Sequence, residues 1–221
     1  MLVCKYTKKF PANYIPHLDI LRQVGMTIRR ADIAVAYSEG FNPHMRIFFS
    51  APLPLGTMSE SEYFVVDTQT DGKEFLERFN AKAPNGIVVT RVANTDKSSI
   101  HALLYAADYI IDFDGIESNA LEDYVARLMG SAAYIIQHKG KDKDIRPLIL
   151  EADTSKNILK AKLRFGNVNL SAQALAADII SVCGDFGANC IITKLNSYAK
   201  PQDILVDMDK IIFQAYPKHL T

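Results

Sequence analysis

The spacing of apolar residues changes repeatedly along the first 95 residues, and this succession of patterns constrains the fold more than any other feature of the chain. Residues 2–8 alternate apolar and polar side chains, as a half-buried strand does. A helical spacing of three and four follows Pro16. Further patterns predict strands at 45–51, 61–68 and 87–93 and a helix at 71–83. The resulting order of strand, helix, strand, strand, helix, strand is that of a ferredoxin-like βαββαβ unit.

The same succession begins again after a polar run at residues 94–99. Strand patterns lie at 102–113, 132–138, 147–153, 158–165 and 190–198, and helical patterns lie at 118–129 and 171–181. We therefore predict an α+β protein with two tandem ferredoxin-like units, each an antiparallel sheet covered by helices on one face and bare on the other. The first domain spans residues 1–95. The second spans residues 100–221 and carries an extra strand and a C-terminal segment.

Composition places the chain among folded proteins outside the membrane. Of the 221 residues, 48% are apolar and 23% are charged, and no run approaches the roughly 20 apolar residues of a membrane helix. The N-terminal residues lack the pattern of a secretory signal, so we expect a cytoplasmic location. Cys4, Cys183 and Cys190 have no metal-binding spacing, which predicts no metal or cofactor bound by this chain. Net charge is zero, yet residues 1–50 hold seven Lys and Arg against three Asp and Glu.

The densest group of polar residues lies at 37–62, between two apolar runs, and follows a predicted helix rich in arginine. Arginines near a polar loop can hold phosphates through paired hydrogen bonds. The candidate residues for binding a substrate or an anion are Arg29, Arg30, Tyr37, Ser38, Asn42, His44 and Arg46. Phe41, Phe48 and Phe49 can stack on bases or pack in the core.

The helix itself predicts a core stripe and a set of catalytic candidates. Its apolar positions Leu18, Leu21, Gly25 and Ile28 recur at three and four, which assigns them to the core and puts Arg22 and Arg29 on one side. Catalysis by this chain would use His17, Asp19 and His44, since histidine titrates near neutrality and a carboxylate can orient it. Bracing of the first helical turn by His17 and Asp19 is the structural alternative.

A second basic group occurs in the other half of the chain, at Lys139, Lys141, Lys143 and Arg146. A basic loop of this kind can contact RNA or an acidic partner. A solvated hairpin tip explains the same residues equally well.

Several motifs together resemble the radical SAM-linked proteins, a bacterial family defined by a domain of unknown function. The matching steps are His17-Leu18-Asp19, Arg29-Arg30-Ala31, Tyr37-Ser38-x-Gly40-Phe41-Asn42-Pro43-His44, and Leu55-Gly56 with Ser59, Glu62 and Tyr63. Residues 139–147 resemble a lysine-rich step in the second half of the family pattern. The chain departs from that pattern in having Pro16 before the first histidine and Met45-Arg46 after the second.

The resemblance implies a companion of a radical SAM protein, since the members of that family are found beside or fused to such proteins, often in the neighbourhood of RNA-processing and ribosomal genes. We therefore expect a substrate-binding or docking partner of a radical SAM enzyme, in RNA modification or processing, with RNA as a further partner. S-adenosylmethionine and an iron–sulfur cluster are expected only in that enzyme. Two alternatives remain open: an RNA-modifying or hydrolytic enzyme using His17, Asp19 and His44, and a pure protein–protein adaptor.

Overall fold

In the computed structural model, the described residues are 1–98, 100–138, 140–166 and 168–214, with no side-chain description for His138. They form two compact units. The first unit contains Met1–Leu104 together with the described residues from Tyr198 onward, and the second is Tyr105–Ser197. The C-terminal residues therefore lie in the same unit as the N-terminal ones.

The secondary structure follows most of the predicted pattern. The first stretch contains β1 (Leu2–Lys8), α1 (His17–Arg30), β2 (Ile47–Phe49), β3 (Met58–Val66), α2 (Gly72–Asn80) and β4 (Ile87–Asn94). The second contains β5 (Ala106–Ile116), α3 (Ser118–Gly130), β6 (Ile135–His138), β7 (Lys141–Asp144), β8 (Ile149–Ser155), β9 (Ile158–Arg164), α4 (Ala172–Cys183) and β10 (Gly184–Ala199). The described chain ends with β11 (Val206–Asp207) and α5 (Met208–Phe213).

The predicted pair of separate antiparallel sheets is wrong. Seven strands follow the order β4-β1-β3-β10-β5-β9-β8, and β2 and β11 pair with β3 and β10, which makes one nine-stranded mixed sheet. Strands β6 and β7 form a separate two-stranded sheet. The difference arises at β10, which has 16 residues and passes from the second unit into the first. The sequence pattern predicts only its last part as a strand, and apolar periodicity does not specify a strand's neighbours.

The core of the first unit lies between its strands and the helices α1 and α2. In this unit β1 pairs antiparallel with both β3 and β4, and β2 pairs antiparallel with β3. Three buried phenylalanines form the centre of the core: the ring centroid of Phe64 lies 6.4 Å from that of Phe75 and 6.0 Å from that of Phe79. These aromatic contacts fix α2 against β3.

The face of the first unit's strands that was predicted to be bare is covered. Tyr63 and Val65 on that face are buried, and α5 contributes a carboxylate to it. Asp209 accepts hydrogen bonds from the Lys5 amine at 2.8 Å, the Tyr63 hydroxyl at 2.9 Å and the Arg91 guanidinium at 3.2 Å. The helix that covers this face lies in a segment where the sequence pattern predicts no definite element.

The predicted core stripe of α1 is wrong for three of its four positions. Leu18 is 67% exposed, and Leu21 and Gly25 are only partly buried. The buried residues of α1 are Ile20, Val24, Thr27 and Ile28. The stripe that reaches the core is therefore the one with β-branched residues, which places the side bearing Gly25 at the molecular surface.

The C-terminus of α1 is fixed by a left-handed residue and by a side chain from α2. Asp32 has a φ of +53°, and the Ile33 amide donates to the Ile28 carbonyl oxygen at 3.1 Å, as in a Schellman motif. The guanidinium of Arg78 donates to the Ala31 carbonyl oxygen at 2.7 Å. These contacts satisfy carbonyl groups that the helix leaves unpaired at its end.

Candidate ligand-binding site in the first unit

A pocket of about 560 Å³ lies along α1 in the first unit, and we call it the α1 pocket. One wall is α1 and the other is the segment 43–49. The lining residues are Leu21, Arg22, Gly25, Met26 and Arg29 from α1, and Pro43, His44, Met45, Ile47 and Phe49 from the facing segment. The pocket is therefore mainly apolar, with two arginines and one histidine.

The helical repeat explains the wall formed by α1. Because successive residues turn by about 100°, Arg22, Met26 and Arg29 lie on one side of the helix. Gly25 lies at the edge of this side, next to Arg29, and the nearest atom to a methyl group placed on it is the Met45 sulfur at 3.8 Å. The missing side chain at Gly25 leaves space in the pocket.

A short hairpin-like loop holds the facing wall. Tyr37 and Met45 form an isolated antiparallel bridge. The Ser38 amide donates to the His44 carbonyl oxygen at 2.9 Å, and the His44 amide donates to the Ser38 hydroxyl oxygen at 3.0 Å. Gly40 at the turn has a φ of +116°, a conformation that favours glycine. The hydrogen bonds of this loop position the exposed His44 at the edge of the pocket.

The two arginines of the pocket differ in their surroundings. Arg22 donates to the Asp19 carboxylate at 2.7 Å, in an exposed pair one helical turn apart. Arg29 is exposed, and within the described part of the chain its guanidinium has no hydrogen-bond or ion-pair partner. Arg29 is therefore the cation in the pocket that can bind an anion without breaking an existing contact.

Arg30 and Arg46, which were also predicted to bind anions, do not line the α1 pocket. Arg30 donates to the Thr27 hydroxyl at 3.0 Å and to the Lys82 carbonyl oxygen at 3.3 Å. Arg46 pairs with the Asp67 carboxylate at 2.9 Å. Both guanidinium groups are thus held by contacts within the fold.

The other predicted binding residues in this loop, Tyr37, Ser38 and Asn42, do not line the α1 pocket. Tyr37 and Ser38 hold the base of the loop, as described above, and neither lines the pocket. Asn42 is exposed in the loop beside Phe41, whose side chain is fully exposed. Of the three phenylalanines in this segment, Phe49 lines the pocket.

His17 belongs to a different polar group, at the N-terminus of α1. Its ring meets that of Phe49 edge to face, with centroids 6.2 Å apart. Partial burial lowers the pKa of His17, and the nearby Lys8 amine lowers it too, while the Glu62 carboxylate raises it. Glu62 is buried and accepts a hydrogen bond from the Ser59 hydroxyl at 2.8 Å.

Lys8 is the third member of the polar group that contains His17 and Glu62. Its side chain is buried, and its amine donates to the Ile15 carbonyl oxygen at 2.9 Å. Burial lowers the pKa of Lys8, and the carboxylate of Glu62 opposes that change. A buried amine and a buried carboxylate in one group stabilise each other's charge.

The three catalytic candidates do not lie together in the α1 pocket. His44 lines the pocket, whereas His17 and Asp19 do not. Asp19 is instead the ion-pair partner of Arg22. It lies in the first turn of α1, where a negative charge interacts favourably with the helix dipole and stabilises the helix.

Two of the four basic candidates in the second unit are held by hydrogen bonds within that unit. Lys143 donates to the Asn169 carbonyl oxygen at 2.7 Å, and Arg146 donates to the Met129 and Ile149 carbonyl oxygens at 3.3 and 3.1 Å. Lys141 is exposed on β7. Lys139 lies outside the described residues.

Comparison with known proteins identifies the family. Residues 2–176 match the model of an uncharacterised protein family conserved in bacteria, DUF2344. The chain belongs to this family. The resemblance to an uncharacterised bacterial family is thus confirmed at that level, and the link to radical SAM proteins stays a prediction, because no match names it.

The remaining comparisons add no function. No curated protein matches the chain. It is similar to the crystal structure of an unknown protein from Galdieria sulphuraria, with 13% identity over 87% of this chain and 96% of that one. The TM-score is 0.24, which supports no argument about this chain.

Two further properties concern the described residues as a whole. They contain no group of three or more His, Cys, Asp or Glu side chains placed to hold a metal ion. They also contain no helix long and apolar enough to cross a membrane.

Sequence reasoning missed the apolar part of the pocket. The helical spacing predicts a core position for Gly25, and the motif comparison distinguishes Met45 only as a departure from the family pattern. The signal available in the sequence was the set Ile20, Val24 and Ile28, which is more consistently apolar than the stripe that includes Gly25.

Proposed function

We propose that the first unit binds a nucleotide of single-stranded RNA in the α1 pocket, and that the chain serves as a substrate-binding partner of a radical SAM enzyme. The observation that carries the RNA-binding part is Arg29, an exposed guanidinium without a partner in the described residues, beside an apolar pocket. A guanidinium holds a phosphate through paired, charge-assisted hydrogen bonds. The radical SAM partner is implied by the family resemblance alone.

The apolar lining supports a ligand with a flat body. Phe49, Met45 and Ile47 offer surface to a base, and RNA bases are commonly held by stacking on aromatic side chains. His44 adds a group that donates or accepts a hydrogen bond at a base edge or a phosphate. A nucleotide combines the anion and the flat ring that these two parts of the pocket require.

The enzyme alternative has weaker support from the geometry. It requires His17, Asp19 and His44 to act on one substrate, and only His44 lines the α1 pocket. Its support is confined to the polar group around His17, where Glu62 and Lys8 are buried.

Arg29→Ala tests the RNA-binding proposal, with Arg30→Ala as its matched control. The two residues are adjacent, but Arg29 lines the pocket and Arg30 donates to Thr27 and Lys82. Titration with adenosine 5′-monophosphate, followed by isothermal calorimetry or NMR, should show saturable binding to the wild type. Arg29→Ala should weaken that binding about tenfold or more, since hydrogen bonds to charged groups contribute about 1.5–3 kcal/mol.

The control should leave the Kd within about twofold of the wild type, with both variants keeping the wild-type circular dichroism spectrum. Absence of saturable binding to the wild type, or equal losses in the two variants, would refute the proposal. Copurification with a radical SAM protein that persists in high salt and after RNase treatment would favour the adaptor alternative instead.

A further inference from the structure

We infer that the RNA site extends beyond the α1 pocket along the exposed side of α1, so that the ligand is a single strand of several nucleotides. The inference rests on the proposed function and specifies its substrate. The residues of this track, which we call the α1 stripe, are Phe10, Tyr14, Leu18, Arg22, Met26 and Arg29. Phe10 and Tyr14 precede α1 and the other four residues lie on it, so the stripe offers exposed aromatic rings, aliphatic side chains and cations.

The helical part of the stripe follows from the geometry of α1. Leu18, Arg22, Met26 and Arg29 are separated by four, four and three residues, so they lie on one side of the helix. At a rise of about 1.5 Å per residue, Leu18 and Arg29 are about 16 Å apart along the helix axis. One strand of nucleic acid advances about 3.4 Å per stacked nucleotide, so this length corresponds to roughly five nucleotides.

The stripe begins with two aromatic side chains in solvent. Phe10 is 72% exposed and Tyr14 is 65% exposed. Their rings meet edge to face, with centroids 6.4 Å apart and planes at 88°. An edge-to-face pair leaves ring faces open, and an open aromatic face is the surface on which an unpaired base stacks.

The alternation of side-chain types favours RNA over a protein partner. The central part of a protein interface is depleted of charged residues. Here Arg22 lies between Leu18 and Met26, and Arg29 follows Met26, so cations interrupt the apolar surface at each turn of the helix. Alternating stacking surfaces and cations suit a strand whose bases and phosphates also alternate.

Two carboxylates near the stripe are paired with cations: Asp19 accepts a hydrogen bond from Arg22, and Glu60 pairs with Lys9, the residue before Phe10. None of the six stripe residues is acidic. A phosphate can therefore bind the Arg29 guanidinium, which has no carboxylate partner in the described structure. To bind a phosphate, Arg22 has to give up its contact with the Asp19 carboxylate.

The test compares a mononucleotide with an oligonucleotide. Fluorescence anisotropy with a labelled RNA hexamer, and competition by adenosine 5′-monophosphate, give the two affinities for the same protein. The wild type should bind the hexamer at least tenfold more tightly than the mononucleotide. Tyr14→Ala should weaken hexamer binding at least about fivefold, the effect of losing one stacked base, and leave mononucleotide binding unchanged.

Two variants keep this test interpretable. Tyr14→Phe keeps the ring and should retain hexamer affinity within about twofold. Val182→Ala removes an exposed apolar side chain from α4, in the second unit, and should change neither affinity.

The outcomes separate the extended site from the pocket. If the mononucleotide binds through Arg29 and the hexamer binds no more tightly, the extension is wrong and the proposed pocket function stands. If the hexamer binds more tightly but Tyr14→Ala has no effect, the stripe is not the RNA track and a protein-binding surface is favoured. If neither ligand binds the wild type, the proposed function and the extension are both wrong.

Discussion

Replacing Gly25 by alanine should affect the stability of the fold and ligand binding in the α1 pocket in opposite directions. Glycine within a helix is less favourable than alanine by about 0.5–1 kcal/mol. The nearest atom to a methyl group at this position is the Met45 sulfur, at an ordinary contact distance of 3.8 Å. Gly25→Ala should therefore raise the free energy of unfolding by about 0.5–1 kcal/mol, because the methyl group fits without displacing its neighbour.

The same substitution should weaken ligand binding, since the methyl group enters the α1 pocket. Gly25→Leu should weaken it further by filling more of the 560 Å³. Urea denaturation followed by circular dichroism measures the first effect, and titration with adenosine 5′-monophosphate measures the second. Gly130→Ala is a matched control: it lies at the end of α3, where an added methyl group meets no atom within 4 Å, and should not alter binding.

Two results would refute this reasoning. A fall in the free energy of unfolding for Gly25→Ala would show that Met45 cannot tolerate the methyl group. Unchanged nucleotide binding in Gly25→Leu would show that the ligand does not occupy the α1 pocket. A gain in stability together with a loss of binding is the expected combination, and it would identify Gly25 as a residue that leaves space for a ligand at a cost to the helix.

The remaining predictions concern stability and its dependence on pH. Burial lowers the pKa of His17 in the folded chain, so on acidification below about 6.5 the unfolded chain binds this proton first. The free energy of unfolding should therefore fall more between pH 8 and pH 5.5 in the wild type than in His17→Gln, and parallel profiles from urea denaturation would contradict the assignment. Asp209→Ala should destabilise the first unit by about 1–3 kcal/mol, because Lys5 and Tyr63 lose a partly buried acceptor. Arg91→Ala removes a more exposed partner and should lower the free energy of unfolding by less than about 1 kcal/mol; equal losses in these two variants would contradict this ranking.

Local elements were predictable because their signals lie within a few residues. Alternation in β1 and the helical spacing after Pro16 both identify the correct element. Asp71 precedes α2 and accepts hydrogen bonds from the amides of Lys73 and Glu74, as a helix cap does. Each of these features depends on neighbours along the chain, and the sequence contains those neighbours.

The candidate site was predictable only in part. The sequence indicates the region, since His44 and Arg29 both line the pocket. It does not indicate which arginine is available: Arg46 is paired with Asp67 and Arg30 with Lys82, and both pairings join segments that are distant in the sequence.

By itself the sequence determined most of the strands and helices, that polar chemistry concentrates in the first half, and which residue types can bind an anion. The tertiary structure decided which strands are neighbours, which side of α1 faces the core, and which guanidinium remains without a partner. The physical reason is that periodicity fixes the relative direction of side chains within one element, whereas burial and pairing require a second element. Arg29 and Arg30 are adjacent in sequence and of the same type, and the tertiary contacts distinguish them: Arg29 faces the segment 43–49, whereas Arg30 donates to the Lys82 carbonyl oxygen.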